Sequence, residues 1–128
     1  MIRRSHGDET QHPTVILHNG APVGFFVLRS GEVVKDFSAN PRALLLVAMC
    51  VSHAHQGKGY AGKGLRQLQA FVSEQFRDRN EVVLAVNEHN VGAIHLYKKV
   101  GFEDTGERKV GRLGTTLVFS LFCGEAEG

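Results

Sequence analysis

The segment Val51-Ser52-His53-Ala54-His55-Gln56-Gly57-Lys58-Gly59-Tyr60-Ala61 has the residue types and spacing best suited to chemistry in this chain. An apolar run, Leu44 to Val51, precedes it and a helical pattern follows it. A strand thus feeds a glycine-rich turn, and the turn feeds a helix. Backbone N–H groups without intrahelical acceptors and the positive end of a helix dipole then converge on one point, a place for phosphate or pyrophosphate. A glycine-rich turn is also a common tight connection with no ligand, so the neighbourhood has to decide. Gly57-x4-Gly62-Lys63 matches the nucleotide pattern G-x-x-x-x-G-K, but Gly64 stands where Ser or Thr must hold Mg²⁺. The later apolar run Val82 to Val86 ends in Asn87 and not in Asp. Gly57-x-Gly59-x-x-Gly62 matches the dinucleotide pattern G-x-G-x-x-G. That pattern needs an acidic residue closing a second strand, and Glu74, near the required spacing, falls in the helical stretch.

A second block changes the weighing. Asn90-x-x-Ala93-x-x-Leu96-Tyr97-x-Lys99-x-Gly101-Phe102 follows the first in order. Together with Met49-x-Val51-x-x-x-x-Gln56-x-x-Gly59-x-Ala61 it resembles the GNAT superfamily of N-acetyltransferases. The first block is similar to that family's acyl-CoA signature, Q/R-x-x-G-x-G/A, and the second to its closing N-x-x-A-x-x-L-Y-x-K-x-G-F element. The resemblance covers Val15 to Leu121 and is sharp from Leu44 to Phe102. It implies acetyl-CoA as co-substrate and N-acetylation of a primary amine, with small amines and polyamines as acceptors. A CoA-binding module without turnover and a protein or peptide N-acetyltransferase are the alternatives. The backbone of Met49 and Val51 is expected to pair with the pantetheine arm. The amides from Gln56 through Gly57, Lys58, Gly59, Tyr60 and Ala61 are expected to hold the pyrophosphate, and Asn90 to hydrogen-bond the arm.

Acetyl transfer needs a neutral amine, a polarised thioester carbonyl and a proton for the departing thiolate. The resemblance assigns the last role to Tyr97. Asn90 and Tyr97 are seven positions apart, close to two helical turns, and so share a face. A phenol of pKa about 10 can protonate a more basic transient sulfur. The competing role for Tyr97 is that of an amphipathic core residue beside Leu96. For the general base the strand Leu44 to Val51 offers no carboxylate, which leaves Glu32, Asp36, His53 and His55, directly or through water. His53-x-His55 lacks a third ligand nearby, so no metal is expected.

These groups must be positioned by a small α/β fold. The length of 128 residues fits one domain, and 42% hydrophobic content is ordinary for a globular chain. Residues 1–13 are polar and aperiodic, an arm or the start of an edge element, and 14–128 are one domain. His18-Asn19-Gly20-Ala21-Pro22 between two apolar runs predicts a hairpin. Glu32 to Phe37 reads as a short strand. The unalternating run Leu44 to Val51 reads as a central strand covered on both faces. Ala61, Leu65, Leu68, Val72 and Phe76 mark one face of a single long helix. Val82 to Val86 is a second buried strand, Asn90 caps a short helix, and an antiparallel pair closes the chain. The resemblance implies a mixed, mostly antiparallel sheet with splayed central strands and flanking helices. It is shortened at the N-terminus, because the stretch before Val15 cannot hold the strand and two helices usual there. Apolar surface near Phe25 and Phe26 is then expected to be covered in a homodimer. A net charge of +2 gives no argument for nucleic-acid or membrane binding, although Lys58, Lys63, Arg66, Lys98, Lys99, Arg108, Lys109 and Arg112 gather near the two blocks. Cys50 and Cys123 form no disulfide framework, and each is expected to pack as a small hydrophobe. No signal peptide or spanning stretch is read, so the expected setting is cytoplasmic.

Overall fold

Seven strands form one sheet in the order β1-β2-β3-β4-β5-β7-β6, in a computed structural model that describes residues 2–4, 9–52 and 57–124. The strands are β1 (Ile2–Arg4), β2 (Gln11–His18), β3 (Ala21–Arg29), β4 (Ala43–Val51), β5 (Glu81–Asn87), β6 (Glu103–Gly111) and β7 (Gly114–Phe122). The helices are α1 (Tyr60–Leu65), α2 (Leu68–Gln75) and α3 (Val91–Lys99), with a 3-10 turn at Glu32–Asp36. Only β4 and β5 are parallel; every other pair is antiparallel. The mixed, mostly antiparallel sheet with flanking helices is the expected fold class.

Alternation along the strands decides what each face buries. Phe26 and Leu28 on β3, Leu44 and Leu46 on β4, Val82 and Leu84 on β5, and Phe119 and Leu121 on β7 join one core. Leu65, Leu68, Val72 and Phe76 from the helical stretch close it. The opposite face holds a smaller cluster, Val34, Ala43, Leu45 and Val83, roofed by the 3-10 turn. That turn replaces the strand expected at Glu32 to Phe37. β3 already has β2 and β4 on its two edges, so no edge is left for a further strand; the segment folds back and buries Val34.

Three other expectations are corrected. The single long helix is two, α1 and α2, separated by Arg66 and Gln67, where Gln67 N–H donates to Gly64 O at 3.1 Å. Gly62 and Gly64 weaken this first stretch. Gly64 nonetheless has a packing reason, because a Cβ there would lie 3.0 Å from Ile16 of β2, which would have to give way. Phe26 is fully buried, and only its neighbour Phe25, on the opposite face, is open at 45% exposure. Cys50 is exposed on β4, whereas Cys123 is buried. At the N-terminus Ile2–Arg4 pairs with Thr14 to Ile16, so this stretch supplies an edge strand, and Gln11 to Pro13 belong to β2.

Candidate functional site

β4 and β5 pair at only three positions, Ala43 with Glu81, Leu44 with Val82 and Leu45 with Val83. Beyond them each strand keeps its outer neighbour: β4 stays on β3 as far as Val51, and β5 stays on β7 as far as Asn87. A wedge therefore opens between the two central strands. Its local cause is a bulge in β4. Phe25 pairs with Cys50 but Val27 with Val47, which leaves Ala48 and Met49 as the irregular pair. Ala48 sits at φ 56, in the left-handed region, at a cost of roughly 1–2 kcal/mol for a non-glycine residue. A bulge bends its strand, and here it turns β4 away from β5. Burial follows the same division. Ala43 to Leu46 are buried, whereas from Val47 to Val51 half-buried and exposed residues alternate. The central strand is thus covered on both faces only over its first half.

The open end of β4 leads to the glycine turn. Gly57 and Gly59 have φ of 80 and 78, which an L side chain adopts only with strain. A Cβ at either position would meet nothing within 4 Å, so conformation and not crowding requires glycine in the protein itself. Gly59 is the N-cap of α1 and, having no side chain, gives that helix end no side-chain cap. The first intrahelical bond is Lys63 N–H to Gly59 O at 3.0 Å, so the amides of Ala61 and Gly62 precede the helical ladder. A cleft of about 280 Å³ lies here. Among the described residues it is lined by Val51, Gly57, Gly59, Tyr60, Ala61, Gly62 and Leu96. Five of the residues expected at the site are in that lining. Gly62 and Leu96 were not expected; the i, i+3 step from Gly59 and the place of Leu96 beside Tyr97 were the available signals. Gln56, His53 and His55 lie outside the described residues. Lys58 is exposed on the turn, and Met49 is half-buried against the main core.

Asn90 and Tyr97 come from α3. The Asn90 Oδ1 accepts from Ala93 N–H at 3.2 Å, the capping bond expected of it. Tyr97 is buried, its ring edge-on to Phe102 with centroids 5.7 Å apart. Burial raises the pKa of its hydroxyl above the ordinary phenolic value. Among the described residues that hydroxyl makes no hydrogen bond, and it is not among the side-chain polar atoms sealed from solvent without a partner. The packing role expected of Tyr97 is thus met, and Tyr97 is not among the residues that line the cleft. The basic residues divide. Lys63 stays at the turn, its Nζ 5.7 Å from the Tyr60 ring. Arg108 instead pairs with Asp104 at 2.8 Å, and Lys109 lies over Phe37. Glu32 is paired with Lys35 at 2.9 Å, and neither it nor Asp36 lines the cleft. A carboxylate that the motif reading passed over is Glu88, the first residue after β5, 3.5 Å from His89. Its position at the end of a parallel strand beside β4 was the available cue.

A wedge between parallel strands, opening onto uncapped amides at a glycine turn, can take an extended chain carrying a phosphate head. Residues 2–102 match the acetyltransferase (GNAT) family, and the chain belongs to that family of acyltransferases, which move acetyl groups from acetyl-CoA to amines. Over 123 residues it is 44% identical to the uncharacterised N-acetyltransferase YbbJ of Bacillus subtilis, covering 95% of this chain and 77% of that protein. It is 28% identical to the spermine/spermidine N(1)-acetyltransferase of Bacillus subtilis over 74% of this chain and 61% of that one. In fold it matches the aminoglycoside acetyltransferase AAC(6')-Ib in complex with coenzyme A. The TM-score there is 0.72 at 21% identity, over 89% of this chain and 67% of that one.

Proposed function

We propose that this chain acetylates a small primary amine, with polyamines as the preferred class, and that Tyr97 donates the proton to the leaving thiolate. The observation that carries the reading is the wedge between β4 and β5 where it runs into the glycine turn. In this reading the backbone of Met49 and Val51 pairs with the pantetheine arm. The amides of Gln56 to Ala61 hold the pyrophosphate, aided by the charge of Lys58. Asn90 contributes through its Nδ2, because its Oδ1 is already engaged as the cap.

The chemistry then balances with residues at hand. The amine nitrogen adds to the thioester carbonyl carbon, the C–S bond breaks, and sulfur departs with the bonding pair. Tyr97 gives its phenolic proton to that sulfur and regains one from solvent. The nitrogen loses its extra proton to a base acting directly or through water. Glu32, Asp36, His53 and His55 are the candidates from the sequence, and Glu88 joins them from the fold. Glu88 also suits a second ammonium on the acceptor, since a carboxylate at the open strand end can hold a cation while another nitrogen reacts. Polyamine preference is further supported by the likeness to the spermine/spermidine enzyme.

The reading includes a homodimer in a reducing cytoplasmic setting, with no metal and with neither nucleic acid nor membrane as partner. An open Phe25 above an apolar hollow of about 440 Å³, lined by Val15, Phe25 and Cys50 among others, supports the dimer. The free thiols of Cys50 and Cys123 support the reducing setting. The deciding experiment follows CoA thiol release with spermidine, monoamines, aminoglycosides and N-terminal peptides as acceptors. Release with small di- and polyamines is expected. CoA binding without release on any acceptor would identify a binding module, and release on peptides alone a protein acetyltransferase.

A further inference from the structure

The end of the sheet away from the glycine turn carries a separate concentration of positive charge. There β4 begins at Ala43, β5 begins at Glu81, α2 ends at Gln75 and β7 ends at Phe122. The length of β4, about 25 Å at 3.3 Å per residue, separates this end from the cleft. Between these termini lies a cavity of about 300 Å³ whose lining includes Arg42, Arg77, Arg79, Ser73, Asn80 and Phe122. Three arginines therefore line one small hollow. The carboxylate beside them is Asp78, 82% exposed and 3.8 Å from Arg79 Nε. Glu81, the neighbouring acid on β5, is already engaged by Ser38, Asn40 and Ser120.

Two of the arginines are braced by backbone. Arg42 Nε donates to Asp78 O at 2.9 Å, and Arg79 Nη1 donates to Pro41 O at 3.2 Å. The two bonds tie the segment before β4 to the segment before β5 and restrain both side chains beside the cavity. Arg77 is different: among the described residues it makes no hydrogen bond or ion pair. Its planar fork of donors remains open to a ligand. Phe122, 61% exposed, adds an apolar wall beside the charge.

We infer that this cavity binds a small phosphate monoester. Among the described residues three arginines stand against Asp78 and Glu81, which leaves net positive charge and favours an anion. Guanidinium forks match phosphate oxygens in geometry as well as in charge. Side chains already held by backbone bonds lose little further freedom on binding. The volume, at the small end of ligand sites, takes a phosphoryl group and a compact organic part resting on Phe122. This site is independent of the acetyl-CoA reading, because it uses none of the residues of the wedge or the turn.

The test is thermal unfolding in saturating acetyl-CoA, so that phosphate cannot act at the glycine turn. Phenyl phosphate and inorganic phosphate are titrated against chloride at matched ionic strength. Phenyl phosphate is expected to raise the midpoint saturably, and phosphate to do so more weakly. Arg77→Gln, which breaks no hydrogen bond or ion pair among the described residues, should keep the ligand-free midpoint and weaken phenyl phosphate tenfold or more. Arg77→Lys should recover only part of that loss, since an ammonium keeps the charge without the fork. The inference is overturned by an absent or unsaturable shift, by an equal shift in Arg77→Gln, or by a shift that appears only when acetyl-CoA is omitted.

Discussion

Tyr97 combines two demands that usually separate. Its ring fills the core against Phe102, and among the described residues its hydroxyl makes no hydrogen bond. Tyr97→Phe keeps the ring, so folding should be nearly unchanged. If the hydroxyl protonates the thiolate, kcat should fall by about 10²-fold or more while the KM for acetyl-CoA stays within a few-fold. Steady-state kinetics on the purified variant decide it; unaltered kcat would leave water or a histidine as the proton source. The raised pKa sets the direction of the pH response. The protonated donor persists to higher pH than an ordinary phenol, so loss of rate from Tyr97 ionisation should begin above about pH 10. Stability follows the same sign. The folded state holds this proton more tightly than the unfolded chain does, so this contribution is intact below the unfolded phenol's pKa and is lost as pH rises past it.

At the scale of elements, two glycines of one segment serve different ends. Gly59 supplies a left-handed backbone, and a Cβ there touches nothing. Gly64 supplies clearance, and a Cβ there meets Ile16 at 3.0 Å. Gly59→Ala should destabilise by about 1–2 kcal/mol through strain and should also weaken acetyl-CoA, because the turn amides move. Gly64→Ala should shift α1 off β2 and cost about 1–3 kcal/mol through overpacking, with helix propensity offsetting part of it. Chemical unfolding paired with calorimetric titration of acetyl-CoA separates the two; equal behaviour of the variants would refute the division. The β6–β7 hairpin offers a pH test. Asp104 accepts from both Arg108 amino groups and from Gly106 N–H, which hold its carboxyl down to about 2. A carboxyl lowered in the folded state stabilises above its unfolded pKa, and that contribution is lost as pH falls toward about 2. Asp104→Asn should therefore flatten the acid limb of the stability curve and leave neutral-pH activity unchanged, as read by circular dichroism across pH. With the pair partly exposed to solvent, the effect should shrink in high salt.

For the whole molecule, the sheet face bearing Val15, Phe25 and Cys50 carries, among the described residues, only the 3-10 turn over Ala43, Leu45 and Val83, whereas the other face is closed by α1, α2 and α3. Association through the open face predicts that Phe25→Ser shifts the protein to monomer in light scattering without unfolding it. A monomeric parent chain across concentration would remove the dimer. The thiols report on the same asymmetry. Cys50 is exposed on the open face, and burial together with the charge of Glu81 pushes the Cys123 thiol up to about 12. Alkylation of the native protein should label Cys50, and Cys123 only after denaturation. Protection of Cys50 that disappears in Phe25→Ser would place it at the contact between copies.

The two motif blocks, the hairpin at Asn19-Gly20, the cap at Asn90, the strands β2 to β5 and the closing pair β6 and β7 were legible in the sequence. Each depends on local periodicity or on a turn conformation that few residues adopt. The family was legible for the same reason, since a glycine turn between strand and helix and a capped helix carrying Tyr97 are short-range patterns. The 3-10 turn at Glu32–Asp36 was not, because its alternating valines fit a strand, and only the pairing of both β3 edges denies it one. Nor was the split between α1 and α2, which depends on how closely Gly64 approaches Ile16. The wedge was expected from the family likeness and not from the residues. Its cause is a bulge at Ala48–Met49 within an apolar run of unbroken character, and register is a property of two strands together. The arginine cavity gathers Arg42 from before β4 and Arg77 and Arg79 from before β5. Their meeting required the parallel start of those strands, because proximity across long sequence separation is set by packing and is absent from any local spacing.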